Sequence, residues 1–231
     1  MNPKTTFKRY ELKYFITKSQ KEALLELFKN RMRPDEFGKN SIFNIYYDTP
    51  DFLIIRRSIE KPAVYKEKLR LRSYGRADDD TEVFLELKKK YEAVVYKRRL
   101  SLSAKEASQY FTGTYLLPET QIAKEINYFK TLYTGIAPRV FIAYDREAFF
   151  AIDDSEVRIT FDENIVWRDE ELSLNSQKYG NRLIHEDMAL MEVKVAGGIP
   201  LWLTQFLTAH NIYKTSFSKY GNTYKAIRTR K

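Results

Sequence analysis

The chain has 231 residues, 43% hydrophobic and 15% aromatic, with 17 tyrosines and 15 phenylalanines; that suits one large folded domain or two small ones rich in β-structure. Forty lysines and arginines against 31 acids leave a net charge of +9, so the partners to expect are anions: nucleic acid, an anionic membrane or a small polyanion. The absence of cysteine and the presence of only His185 and His210 exclude disulfides, thiolate metal sites and a histidine-rich metal centre, while the polar start MNPKTTFKRYE and the lack of a long apolar run lead us to expect a soluble, cytoplasmic protein without signal peptide or membrane span.

Phe7 to Ile16 reads as a first strand, with Arg9, Glu11 and Lys13 on one face and Tyr10, Leu12, Tyr14 and Ile16 on the other. Thr17 and Gln20 form a capping box for a helix reaching about Asn30. Ser41–Asp48 is a second strand, ended at Thr49-Pro50, and Asp51–Arg57 a short helix. The third strand starts at Tyr65 (YKEKLRLRSYG): Lys66, Lys68, Arg70 and Arg72 share one face, about 6–7 Å apart at the usual strand rise. Glu82–Lys88 puts Glu86 and Lys88 together opposite Val83, Leu85 and Leu87, and Ala93–Leu100 turns Lys97 and Arg99 inward, with Arg98 as the competing choice.

Ser103 with Glu106 caps a short helix, and Pro118–Tyr133 reads as a longer one. Pro138–Phe149 carries Tyr144 and Arg146 on one face. Glu156–Asp162 alternates most cleanly, Arg158, Thr160 and Asp162 against Val157, Ile159 and Phe161. Glu163–Asp187 is read as loop with a short strand near Ile165–Trp167. Met188–Val195 pairs Glu192 with Lys194 on one face, Pro200–Ala209 is a helix, and a last helix covers Ser218–Ile227. No repeat, low-complexity stretch or linker marks a boundary, so residues 1–231 are expected to form a single domain.

Eight strands, each with an apolar face and a charged one, argue for a closed or nearly closed antiparallel sheet whose polar faces point inward, with helices covering the apolar exterior. Lys13, Arg70, Arg72, Lys88, Lys97, Arg146, Arg158 and Lys194 would then line one lumen. Crowding these cations is costly unless a polyanion occupies it.

The strings RYELKY, YYDTPDF, KLRLRSYG, FLELKKK, YDREAF, VRITFD, LMEVKV and SFSKY stand in this order from about Lys8 to Tyr220. Together they resemble the VTC domain, the catalytic domain of eukaryotic vacuolar transporter chaperone polyphosphate polymerases, here in a stand-alone bacterial-type form. That family lies within the triphosphate tunnel metalloenzymes. The resemblance implies an α+β fold, an eight-stranded antiparallel β-barrel tunnel with helices packed outside. It implies phosphate contacts from Lys13, Arg70, Arg72, Lys88, Lys97, Arg146, Arg158 and Lys219, with Arg70, Arg72, Lys88 and Arg146 as the catalytic group. It implies Mn2+ or Mg2+ on Glu192, with Glu86 and Glu11 as secondary ligands. Arg9 replaces the first glutamate of the wider superfamily's E-x-E-x-K opening, which shifts metal binding toward Glu192 and Glu86.

The function implied is transfer of the γ-phosphoryl of ATP to a growing polyphosphate chain. A triphosphatase using the same tunnel and a non-catalytic polyphosphate binder are the alternatives. Expected partners are ATP or another triphosphate, and polyphosphate or pyrophosphate. A membrane protein, as in eukaryotic relatives, is a further one. Nucleic acid is not expected, because the cations sit on strands that point them one way and not in a basic arm or recognisable module.

Overall fold

The computed structural model describes residues 10–59, 64–92, 94–153 and 156–230, so the expectations that fall on Phe7 to Arg9, on Ala93 and on Lys231 lie outside the described residues. In chain order the elements are β1 (Tyr10–Thr17), α1 (Lys18–Phe28), β2 (Met32–Pro34), β3 (Asn40–Asp48), α2 (Leu53–Ile59), β4 (Tyr65–Tyr74), β5 (Glu82–Tyr91), β6 (Val94–Ser103), α3 (Ala104–Thr112), α4 (Gln121–Leu132), β7 (Ala137–Ala151), β8 (Arg158–Arg168), β9 (Asn181–Arg182), β10 (Met188–Val195), α5 (Leu201–Ala209), β11 (Lys214–Thr215) and α6 (Lys219–Thr229). The fold class is α+β. The eight strands read from the sequence are the eight long ones; β2, β9 and β11 add pieces of two or three residues.

Local chemistry sets the helix starts. Thr17 and Ser103 each make the full reciprocal capping box, with Gln20 and Glu106 as partners. The helix expected from Pro118 begins instead at Gln121, because the Thr120 hydroxyl accepts the Ala123 amide and caps it there. The short strand expected near Ile165–Trp167 is the far half of β8, which continues past Asp162. No helix of the described residues is long and apolar enough to cross a membrane.

The chain divides into two compact units. The first comprises Met1–Asn40, Tyr144–Ile165 and Ile184–Phe217. Its ladder runs β11-β1-β10-β8, antiparallel throughout, with β2 on the end of β7. One face of that ladder packs Tyr14, Ile16, Ile159, Phe161, Met191 and Val193 against Leu24 and Phe28 of α1 and Leu203 and Phe206 of α5. The second unit comprises Ser41–Ala143, Val166–Leu183 and Ser218–Lys231. Its ladder runs β3-β4-β5-β6, and Ile45, Leu69, Leu71, Leu85 and Leu87 form its core with Ile126 and Phe129 of α4 and Ala107 of α3. Within each unit these ladders are open series, so neither unit by itself forms the closed sheet expected from the sequence. Each unit draws on three separate stretches of chain, which is why no linker in the sequence announces them.

Candidate functional site

In the second unit, strand register decides which charges meet. Tyr46 stands opposite Arg70, Arg70 opposite Glu86 and Glu86 opposite Arg99; Asn44 stands opposite Arg72, and Lys68, Lys88 and Lys97 stand abreast. Directly opposed residues of an antiparallel pair share a face, so these groups all lie on the face away from the core. Arg98 points to the core side, where its guanidinium meets Glu125 of α4. Arg99 therefore takes the inward position that the sequence left between the two.

Glu86 is the centre of this face and is 1% exposed. Arg70 approaches its Oε2 at 2.7 Å, and Arg99 and Lys97 approach Oε1 at 2.6 and 2.7 Å. Arg72 stands 3.8 Å from Oε2 and donates to Asn44 Oδ1 at 2.9 Å. Burial would raise the Glu86 pKa, but Arg70, Arg72 and Lys97 outweigh it and hold the carboxyl well below the usual carboxylate range. Four cations around one carboxylate leave a surplus of three positive charges on one sheet face. Both Glu86 oxygens are engaged by cations, so in this structure the carboxylate serves as the counter-ion of the arginines.

Tyr46 belongs to this cluster and was not singled out in the sequence. Its phenol accepts from Arg70 at 3.1 Å, and its ring stacks on Tyr220 at 4.6 Å between centroids. Tyr220 donates to Asp48 Oδ2, whose carboxylate also takes the amides of Ile54 and Ile55 at the start of α2. Burial pushes the Tyr46 pKa up, yet Arg70, Lys68 and Arg72 bring it down to about 8. Between that value and the unfolded tyrosine near 10 the unfolded chain holds the extra proton, so stability rises with pH over this window. The stability of wild type relative to Tyr46→Phe should therefore grow from pH 8 to 10, by up to about 2–3 kcal/mol. Added tripolyphosphate should move the Tyr46 titration back upward, because its charge offsets the same cations. Tyrosinate absorbance followed against pH, with and without the ligand, reads both effects; identical curves for wild type and Tyr46→Phe would remove Tyr46 from the cluster.

The first unit carries its own polar face. Lys13 stands opposite Glu192, which stands opposite Thr160; Glu11 stands opposite Lys194, which stands opposite Arg158. The Lys13 ammonium lies 3.4 Å from Glu11 and 3.5 Å from Glu192, and donates to the Phe217 carbonyl at 2.9 Å. Arg146 grips Asp162 with two hydrogen bonds of 2.6 and 2.7 Å and reaches Glu192 at 3.1 Å. Burial disfavours its charge, and Asp162 and Glu192 overcome that to keep it firmly protonated. Arg158 pairs with Asp35 at 3.1 Å and lies over the Phe150 ring. Lys219 opens α6 behind its cap, Ser218, and is buried in the second unit.

Of the expected set, the second unit thus brings Arg70, Arg72, Lys88 and Lys97 to one sheet face with Glu86. The first brings Lys13, Arg146 and Arg158 to another with Glu11 and Glu192. For a divalent cation, the first unit holds the better donors. Glu192 is 6% exposed, and across the ladder from it the Thr160 hydroxyl is buried with no hydrogen-bond partner among the described residues. Such an orphaned oxygen beside a carboxylate, with Glu11 on the other side of Lys13, fits an all-oxygen site for Mg2+ or Mn2+ completed by phosphate and water. No cluster of three or more acid, cysteine or histidine groups that could hold a metal ion occurs among the described residues.

Comparison with known proteins bears on the fold and the family. A solved structure of a candidate adenylate cyclase from Bacillus halodurans superposes with a TM-score of 0.55 over 91% of this chain and 95% of that one, at 14% identity, which establishes likeness of fold. Vacuolar transporter chaperone complex subunit 4 of Schizosaccharomyces pombe is 26% identical over 91% of this chain, which spans about a third (34%) of that relative's length. The family model of the VTC domain matches residues 8–228, nearly end to end, and the chain belongs to the VTC domain family.

Proposed function

We propose that this protein is a metal-dependent phosphotransferase that lengthens inorganic polyphosphate with the γ-phosphoryl of ATP. The observation that carries the reading is the surplus of three positive charges where Arg70, Arg72, Lys97 and Arg99 surround Glu86. A face that keeps this much buried and half-buried cation at rest is suited to a ligand dense in negative charge. Guanidinium forks match phosphate oxygens two at a time, so Arg70 and Arg72 hold adjacent phosphates of one chain. In the reaction a terminal oxygen of the acceptor chain bonds to the γ-phosphorus. The bond from that phosphorus to the β–γ bridging oxygen breaks, and ADP leaves. No protein nucleophile is needed; position and charge neutralisation do the work. Mn2+ or Mg2+, held by Glu192 with Glu11 and Thr160, would add neutralising charge on the phosphate oxygens. Lys13 and Arg146 orient the Glu192 carboxylate. Because the fission yeast relative is a subunit of a transporter chaperone complex, a membrane-protein partner that takes up the product is part of the same reading.

Incubation with ATP and Mn2+, assaying long-chain polyphosphate and free phosphate together, tests it. Polyphosphate formed in step with ADP is the expected result. Free phosphate alone makes the protein a triphosphatase, and tight tripolyphosphate binding without turnover makes it a binder.

A further inference from the structure

The cationic face of the second unit changes character at one end. Along β4 its residues run Lys66, Lys68, Arg70, Arg72 and Tyr74; beside them on β5 stand Lys90, Lys88, Glu86, Phe84 and then Glu82. On β6 the face continues with Val95, Lys97, Arg99, Ser101 and Ser103. On these three strands, aromatic side chains of this face therefore occur at one end only, where Phe84 stands opposite Arg72 and Tyr74 follows. Phe84 also breaks the pattern of its own strand, whose other apolar residues Val83, Leu85 and Leu87 belong to the core.

The two rings are placed differently. The Arg99 guanidinium lies over Phe84 at 4.4 Å, and Phe84 meets Tyr74 edge to face at 5.7 Å. Arg99 also donates to the Tyr74 hydroxyl at 3.4 Å. Tyr74 is nonetheless 51% exposed, so its ring offers an open surface beside the cations. Successive residues of one strand face lie about 6–7 Å apart, which sets Tyr74 one such step beyond Arg72 and two beyond Arg70. Next to the rings the Ser101 hydroxyl donates to Glu82, and both residues are exposed.

We infer that Tyr74 and Phe84 form a nucleoside subsite, in which the Tyr74 ring stacks the base of a nucleoside triphosphate whose phosphates lie on Arg72 and Arg70. The inference rests on the function proposed above and adds how the part of the donor that is not phosphate is held. Its first support is order: an aromatic row follows directly on an arginine row, as nucleoside follows on phosphate in the ligand. Its second is chemistry. A base stacks on an aromatic face whatever its hydrogen-bonding pattern, and Glu82 with Ser101 supplies acceptors for ribose hydroxyls. Its third is asymmetry. At the other end of the face Lys66, Lys90 and Val95 offer no ring, so the donor has one orientation along the strands.

The test uses the full chain without added metal. Dissociation constants are measured for ATP and for methyl triphosphate, which has the charge of ATP and no nucleoside, with wild type, Tyr74→Ala and Tyr74→Phe. Wild type should bind ATP on the order of 10-fold more tightly than methyl triphosphate, the scale of one base stacked on one ring. Tyr74→Ala should lose most of that advantage and bind methyl triphosphate as wild type does, which also shows that the variant is folded. Tyr74→Phe should keep the advantage, because the ring stays when the hydroxyl goes. Equal losses for both ligands in Tyr74→Ala, or a loss in Tyr74→Phe as large as in Tyr74→Ala, would make Tyr74 a support for Arg99 and overturn the subsite. An undiminished ATP affinity in Tyr74→Ala, or equal affinity of wild type for the two ligands, overturns it as well and leaves the proposed function standing. A wild type that binds neither ligand overturns the proposed function itself, and the subsite with it.

Discussion

Glu86→Gln is expected to lower the stability of the ligand-free protein by about 3 kcal/mol, the lower end of what removing one partner of a buried ion pair costs. The change keeps the shape of the side chain and removes only its charge. Arg70, Arg72, Lys97 and Arg99 then face one another with no carboxylate between them. Lys97 and Arg99 keep access to water, with side chains 45% and 35% exposed, which holds the loss to the lower end. Tripolyphosphate should narrow the gap between variant and wild type, because its oxygens supply the missing anion and bind the four cations more tightly once Glu86 no longer competes. Thermal melts of both proteins across a tripolyphosphate series give the answer. A variant as stable as wild type without ligand would mean that the cations are already neutralised by other groups, and the surplus charge on which the functional reading stands would be gone.

The alternation that places these residues was readable because one face of each strand is strongly apolar. Leu69 and Leu71, then Leu85 and Leu87, force Arg70, Arg72 and Glu86 to the other side, and period two carries that information without any knowledge of partners. Three things were not readable. Arg98 and Arg99 each fit an inward reading, and the tie is broken by Glu125, a residue distant in sequence on α4. Tyr46 is one of 17 tyrosines and was given no role in the sequence; only the register of β3 on β4 reveals that it faces Arg70. The continuation of β8 past Asp162 was hidden by Glu163 and Asn164, which read as loop; Asn164 takes a left-handed backbone conformation at φ 49° without ending the strand. Likewise Glu86 and Glu192 look alike in sequence, each a glutamate flanked directly by apolar residues and two residues before a lysine on an amphipathic strand. Which one is a counter-ion and which a candidate metal ligand depends on how many cations the neighbouring strands bring, and that is a tertiary quantity.

That difference makes Glu192→Gln the sharper functional experiment. Arg146 and Lys13 both lose a partner in this variant, but neither is left alone: Arg146 keeps its bidentate grip on Asp162, and Lys13 keeps Glu11 and the Phe217 carbonyl. The fold should therefore survive with little change in melting temperature, in contrast to Glu86→Gln. Turnover should drop by about 100-fold or more, the scale of losing a group that places charge against the transition state, and the loss should be partly offset at high Mn2+ if Glu192 serves by holding the cation. Tripolyphosphate affinity without metal should hold or rise, since a negative charge has been removed from beside Lys13 and Arg146. Activity measured over a Mn2+ titration, alongside metal-free tripolyphosphate binding, separates the roles. Wild-type activity at every Mn2+ concentration would exclude Glu192 as a required ligand. A drop in activity with a matching drop in metal-free tripolyphosphate affinity would instead make Glu192 a residue that positions Lys13 and Arg146 for the substrate.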